Sequence, residues 1–114
     1  MELAEEPAAG CTIVAISGRL DAAAARQLGE RLATLIKIGQ SRLLIEASRL
    51  DYVGSLGLRA LLVTARLAAE AQGRLAFCSF TAPVRQVVEL AGFGEVFERY
   101  ASREEALAKL CAEA

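Results

Sequence analysis

Ser55 is the residue whose type and setting point most directly to chemistry. It stands in Gly54-Ser55-Leu56-Gly57-Leu58, at the head of a run with helical periodicity. A serine there has two uses. As an N-cap its hydroxyl accepts a backbone N–H and contributes ~0.5–2 kcal/mol. As a phosphoacceptor it carries its phosphate where free N–H groups and the positive end of the helix dipole favour an anion. Gly54 and Gly57 leave the hydroxyl uncrowded, so another protein can reach it. Other chemistry is poorly supplied. The chain has no histidine, which removes the commonest general base and the commonest metal ligand together. It has no glycine-rich phosphate loop of the P-loop or dinucleotide type. Asp21, Glu46 and Asp51 are the carboxylates that could gather near Ser55 around a metal, but acidic loop residues are more often caps and solvated charges. The residues therefore point to a protein without enzymatic activity, cofactor or metal. Cys11, Cys78 and Cys111 show no C-x-x-C spacing and read as small buried hydrophobes rather than a disulfide frame.

The elements that must position Ser55 can be read from turn residues and periodicity. Glu2–Glu6 is a weak edge strand and Cys11–Ser17 a clear one, rich in Thr, Ile and Val. Gly18 is expected to turn the chain, and Asp21 to cap a helix from Ala22 to about Ile38, with Leu28, Leu32, Leu35 and Ile36 toward the core. Gly39 stops that helix. Leu43–Ala47 is a second apolar strand, followed by a loop over Arg49–Val53. A long helix runs from Ser55 or Leu56 to about Gln72. Then come a strand at Leu75–Phe80, a short helix after Pro83, a short strand at Val96–Arg99, and a last helix over about Arg103–Ala112, opened by the capping-box spacing of Ser102 and Glu105. This alternation predicts an α/β fold: one domain spanning 1–114, a central mixed sheet of four or five strands, and about four helices mainly on one face.

The long helix has two apolar sides. Leu58, Leu61, Leu62, Ala65, Ala68 and Ala69 form a broad face for the sheet. Arg59, Arg66 and Glu70 form a charged strip beside it. The far side, expected to be polar, instead reads Leu56, Ala60, Val63, Leu67 and Ala71. Either flanking helices cover this second stripe, or it is an exposed docking surface with arginines on its rim.

Composition bounds the partners. The chain has 114 residues, 54 % of them hydrophobic, and a net charge of −1. A core is affordable, while the basic face needed to neutralise nucleic-acid phosphates is missing. No apolar run reaches the about 20 residues of a membrane span. The acidic start Met1–Glu6 lacks the pattern of a signal peptide. A cytoplasmic protein that neither binds nucleic acid nor inserts into membranes is expected.

The stretch Leu50-Asp51-Tyr52-Val53-Gly54-Ser55-Leu56-Gly57-Leu58-Arg59-Ala60-Leu61-Leu62 resembles the signature of STAS domains in bacterial anti-sigma-factor antagonists. Upstream, Ser17-Gly18-Arg19-Leu20-Asp21 resembles the Gly-x-Leu-Asp turn of that family. The likeness extends from about Cys11 to the last helix. It implies that Ser55 is the phosphoacceptor, that Gly57 and Leu58 open the helix, and that Asp21 is the acidic residue at the first helix. Gly54 departs from the Asp or Ser common in the family, Glu46 from its common Asp, and Leu56 from a small residue or hydroxyl. The resemblance implies partner switching. The unphosphorylated protein binds an anti-sigma factor that is also a serine kinase. Phosphorylation of Ser55 releases it, and a serine phosphatase restores it. Asp21, Gly54, Leu56, Gly57, Arg59, Ala60, Val63 and Leu67 are then the partner-binding residues. Two other readings stand beside this one: an accessory STAS subunit of a membrane transporter ATPase, and a small ligand-binding α/β domain.

Overall fold

The computed structural model describes residues 1–8 and 10–110. Its elements are β1 (Glu2–Ala8), β2 (Cys11–Leu20), α1 (Ala22–Lys37), β3 (Arg42–Val53), α2 (Ser55–Glu70), β4 (Arg74–Cys78), α3 (Ala82–Leu90), β5 (Glu98–Tyr100) and α4 (Arg103–Leu110). They build one five-stranded sheet in the order β1-β2-β3-β4-β5. β1 and β2 pair antiparallel as a hairpin. β2–β3, β3–β4 and β4–β5 pair parallel. Each parallel step crosses over through a helix, as parallel neighbours require.

The sheet divides the apolar residues into two layers. Val14, Ile16, Leu43, Ile45 and Phe77 face α1, α2 and α3, where Leu28, Leu32, Leu35, Leu58, Leu61, Val84 and Val88 cover them. Ile13, Leu44, Ala76 and Cys78 face the other way, against Ala106 and Leu110 of α4. Strands covered on both faces must be apolar at consecutive positions, as Leu43-Leu44-Ile45 are. Three helices therefore share one face, and α4 stands alone on the other, in agreement with the expected mixed sheet.

Several boundaries differ from the expectations, each for a physical reason. Gly18 does not turn the chain. It adopts φ +92° inside β2, which continues to Leu20. The segment 49–53 is not a loop but the second half of β3. Pairing advances two residues in β2 for three in β3 between Ala15/Glu46 and Ser17/Arg49, and one for two between Gly18/Leu50 and Arg19/Tyr52. β3 thus carries two bulges, and its buried residues Ala47, Leu50 and Val53 recur every third position. That spacing hides a strand from a search for alternation. β4 ends at Cys78 because Ser79 takes φ +64°, and α2 ends at Glu70 before Gln72 at φ +63°. The last strand lies about two residues later than expected, at Glu98–Tyr100. The last helix begins at Arg103 with the Glu105 N–H donating to Ser102 Oγ at 3.1 Å; its expected end at Ala112 lies outside the described residues.

Candidate docking and modification site

Ser55 is placed by the paired ends of β2 and β3. Leu20 lies opposite Val53 in the register. The Gly54 N–H donates to the Leu20 carbonyl at 3.1 Å, and the Leu58 N–H donates to the Gly54 carbonyl at 3.0 Å, closing the first turn of α2. Gly57 lets the turn lie this close. A Cβ on it would stand 2.8 Å from Leu20 Cγ and 2.9 Å from the Leu20 carbonyl oxygen. The role expected for Ser55 is corrected in one respect. Gly54, in extended conformation, is the N-cap, and Ser55 is the first helical residue. No side chain caps this helix end, so the first-turn N–H groups stay open and their dipole end stays positive. The Ser55 side chain is exposed.

Asp21 occupies the matching position one strand over. It follows Leu20 as Gly54 follows Val53, and its exposed carboxylate accepts the Ala24 N–H at 3.0 Å as the N-cap of α1. Both helices therefore begin at the same end of the sheet, beyond the C-terminal ends of β2 and β3. Beside them the Arg19 guanidinium lies 4.2 Å above the Tyr52 ring, a cation–π contact. A Cβ on Gly54 would come 3.1 Å from the Tyr52 hydroxyl. This Arg19–Tyr52 pair was not expected, because the second bulge of β3 is what brings the two residues opposite each other.

The second apolar stripe of α2 is exposed. Leu56 is 53 %, Val63 46 % and Leu67 37 % exposed. Ala60 is half-buried, and a Cβ on Gly29 of α1 would reach it at 4.0 Å. The expected core face of α2 holds at Leu58, Leu61 and Ala68, with Leu62 and Ala65 packed on its margin; Ala69 is exposed. Buried Thr64 joins the inner side by donating its hydroxyl to the Ala60 carbonyl at 2.8 Å. The outer stripe is one wall of a groove of about 810 Å³ between α1 and α2. Leu56, Arg59, Ala60, Val63 and Leu67 line it from α2. The opposite wall belongs to α1, with Ala22, Arg26, Gly29 and Ala33. Sequence reasoning missed that wall. Its trace was the series of small residues at helical spacing on the side of α1 away from Leu28, Leu32 and Leu35.

The remaining candidates stay apart. Among the described residues no group of acidic residues and cysteines could hold a metal, so Asp21, Glu46 and Asp51 do not gather at Ser55. Both oxygens of Glu46 are taken by Ser48, through its N–H at 2.9 Å and its hydroxyl at 3.1 Å. Cys78 is free and buried, and burial pushes its thiol pKa up, which suppresses the reactive thiolate. The expectation of an unpaired, buried thiol is corrected at Cys11, which is half-buried at the start of β2 and disulfide-bonded. Cys111 lies outside the described residues. Among the described residues no helix is long and apolar enough to cross a membrane.

The mixed five-stranded α/β fold agrees with what the comparisons with known proteins find. Residues 3–98 match the family model described as "Mlab, STAS domain". The chain belongs to the STAS domain family. It is 36 % identical over 108 residues to BtrV of Bordetella bronchiseptica, provisionally named an anti-sigma factor antagonist; the match covers 95 % of this chain and 93 % of BtrV. The fold is similar to that of the anti-sigma factor antagonist SpoIIAA in its unphosphorylated form, with a TM-score of 0.83, 23 % identity and 97 % of each chain covered. The phosphorylated form of SpoIIAA, from Bacillus, gives a TM-score of 0.73 at 23 % identity, covering 95 % of this chain and 98 % of that one. A Thermotoga maritima protein, provisionally described as an anti-sigma factor antagonist, gives a TM-score of 0.89 at 15 % identity, covering 95 % of this chain and 93 % of that one.

Proposed function

We propose that this protein is an anti-sigma-factor antagonist that works by partner switching. Unphosphorylated, it binds an anti-sigma factor with serine kinase activity through Leu56, Arg59, Ala60, Val63 and Leu67, together with the surface around Asp21 and Gly54. Gly57, expected among the contact residues, is buried against Leu20 and serves to position the turn instead. Phosphorylation of Ser55 ejects the partner, and a serine phosphatase resets the cycle. The observation that carries this reading is the position of Ser55: exposed, on an uncapped helix end, at the head of the exposed apolar stripe. The name of BtrV and the two forms in which SpoIIAA has been solved support it.

The physics of such a switch is simple. A seryl phosphate adds about −1.5 to −2 charges near neutral pH. At the start of α2 the helix dipole tolerates that charge, so the domain stays folded. Against a partner seated on Leu56 the phosphate must shed water and meet an apolar surface, which opposes binding. Driving a complex from nearly all bound to nearly all free takes about 5.5 kcal/mol. The test incubates wild type and Ser55→Ala with ATP and the serine kinase encoded nearest to the gene, and reads phosphate incorporation and complex formation. Wild type should be labelled and released. Ser55→Ala should stay unlabelled and bound, and Ser55→Asp should bind poorly with an unchanged circular dichroism spectrum. Labelling at another residue, or equal binding by Ser55→Ala and Ser55→Asp, rejects the switch and favours an accessory subunit of a membrane transporter ATPase.

A further inference from the structure

The groove between α1 and α2 has a shape and charge that the outer stripe of α2 alone does not convey. Its lining runs over Ala22–Ala33 on α1 and Leu56–Leu67 on α2. Both stretches are three turns long, about 16 Å at the α-helical rise. The α1 wall offers mainly small residues, Ala22, Gly29 and Ala33, and the α2 wall the larger Leu56, Val63 and Leu67. A third rod can sink toward the low wall and rest against the high one. Both walls are helices whose backbone groups are internally paired, so an extended peptide laid here would leave its own N–H and C=O groups facing apolar side chains. That is costly, whereas a helix satisfies them itself.

The charges set the polarity of the occupant. Arg26 is the fifth residue of α1 and Arg59 the fifth of α2, and both line the groove. They stand one turn in from the end where both helix N-termini and Ser55 lie. That end carries both arginines and the uncapped, positive N-terminus of α2, while the Asp21 carboxylate caps α1. One turn beyond Arg26, Glu30 reverses the sign. We propose that the α1–α2 groove seats an amphipathic helix of the partner protein, with a carboxylate held between Arg26 and Arg59 near Ser55. This deepens the partner-binding reading above and rests on it. It also gives the phosphate a specific way to act. Arg59 lies four residues after Ser55, where helical side chains meet, so a phosphate on Ser55 draws Arg59 away from the partner's carboxylate.

The probe is a pair of fluorescein-labelled synthetic helical peptides of about 18 residues, five turns at the α-helical repeat. They share one Leu/Ala face, flanked by Glu in one and by Lys in the other. Binding to the full chain is read by fluorescence anisotropy. The Glu-flanked peptide should bind at least about tenfold more tightly than the Lys-flanked one, a difference of about 1.4 kcal/mol. Gly29→Leu fills the low wall, and its Cβ has ordinary room; it should weaken the Glu-flanked peptide at least about tenfold with an unchanged melting temperature. The double variant Arg26→Glu/Arg59→Glu, at two exposed positions, should reverse the preference and needs no repacking. Equal binding of both peptides, or full binding by Gly29→Leu, overturns the proposal. So does a wild-type dimer that Gly29→Leu dissolves, because the occupant would then be a second copy of this chain. The outcome is separable from that of the kinase experiment. Labelled Ser55 without peptide preference removes only the groove, and peptide preference without labelling removes only the phosphoswitch.

Discussion

At the scale of single residues, the site depends on two glycines that act in opposite ways. Gly57 is required by packing. An added methyl would meet the carbonyl oxygen of Leu20 at 2.9 Å as well as its side chain. Backbone cannot step aside as a side-chain tip can, so Gly57→Ala should destabilise by about 1–3 kcal/mol, as overpacking does. Urea unfolding followed by circular dichroism measures this, with a loss below about 0.5 kcal/mol arguing against the close approach. Gly54 is permissive. It is extended, at φ −93° and ψ 177°, and the atom nearest an added Cβ is the Tyr52 hydroxyl at 3.1 Å, the far end of a movable side chain. Gly54→Ser supplies the missing cap, and its expected effect is a gain of a few tenths of a kcal/mol. It therefore serves as a folding control for variants at Ser55. Asp21 combines two duties, since the carboxylate facing a partner is also the cap of α1. Asp21→Ala should cost ~0.5–2 kcal/mol of stability, so any loss of partner binding must be measured well below its melting temperature.

Among the elements, α2 carries the most meaning because both of its sides are apolar. Val63→Asp should leave the melting temperature nearly unchanged, since Val63 is 46 % exposed, and should weaken partner binding strongly by placing a charge against an apolar surface. Thermal melts and a pull-down with the partner check both halves. Unfolding by Val63→Asp would mean that the stripe belongs to the core. The sequence left this choice open because a stripe on one helix does not reveal its neighbour. Helix identity was legible from Leu28, Leu32 and Leu35 and from Leu58 and Leu61, whose spacing states the period directly. Ser55's place at the head of α2 was legible too. Three things were not. The end of β3 was hidden by bulges that turn an alternation of two into a repeat of three. The cap of α2 was not legible either: the sequence leaves the helix start at Ser55 or Leu56 with the serine as one possible cap, while the backbone bond from Gly54 to Leu20 makes Gly54 the cap. The α1 wall of the groove was hidden because alanines and a glycine away from the core look like neutral surface until a second helix lies beside them.

At the scale of the whole molecule, the layers on the two faces of the sheet are tied together at its β1 edge. Adjacent strand residues point to opposite faces, and β1 uses this with two glutamates. Glu5 pairs with Arg31 of α1 on one face, and Glu6 with Arg103 of α4 on the other. α4 is held at its far end as well, where Arg42 donates to the Leu110 carbonyl at 2.8 Å and Arg74 to the Lys109 carbonyl at 3.2 Å. Cations at the negative end of a helix also favour its dipole. With Pro7 beside them, the charged residues of β1 keep the open edge from pairing with another chain. Of these ties, the Glu5–Arg31 pair should be visible in the pH dependence of stability. The hydrogen bond from Arg31 holds the Glu5 carboxyl below the ordinary glutamate value. A carboxyl whose pKa is lower folded than unfolded stabilises the fold fully above the unfolded value, and that contribution disappears as pH falls through the folded one. Both side chains are well exposed, so solvent screens the effect and it should be small. The expected result is that Glu5→Gln melts slightly below wild type at about pH 7, with the gap closing as the pH is lowered past the carboxylate range, to about pH 2–3. High salt at about pH 7 should narrow the same gap. A gap that stays constant across the acid range would mean that the ionisation of Glu5 is not what separates the two proteins, since the variant keeps the same stem.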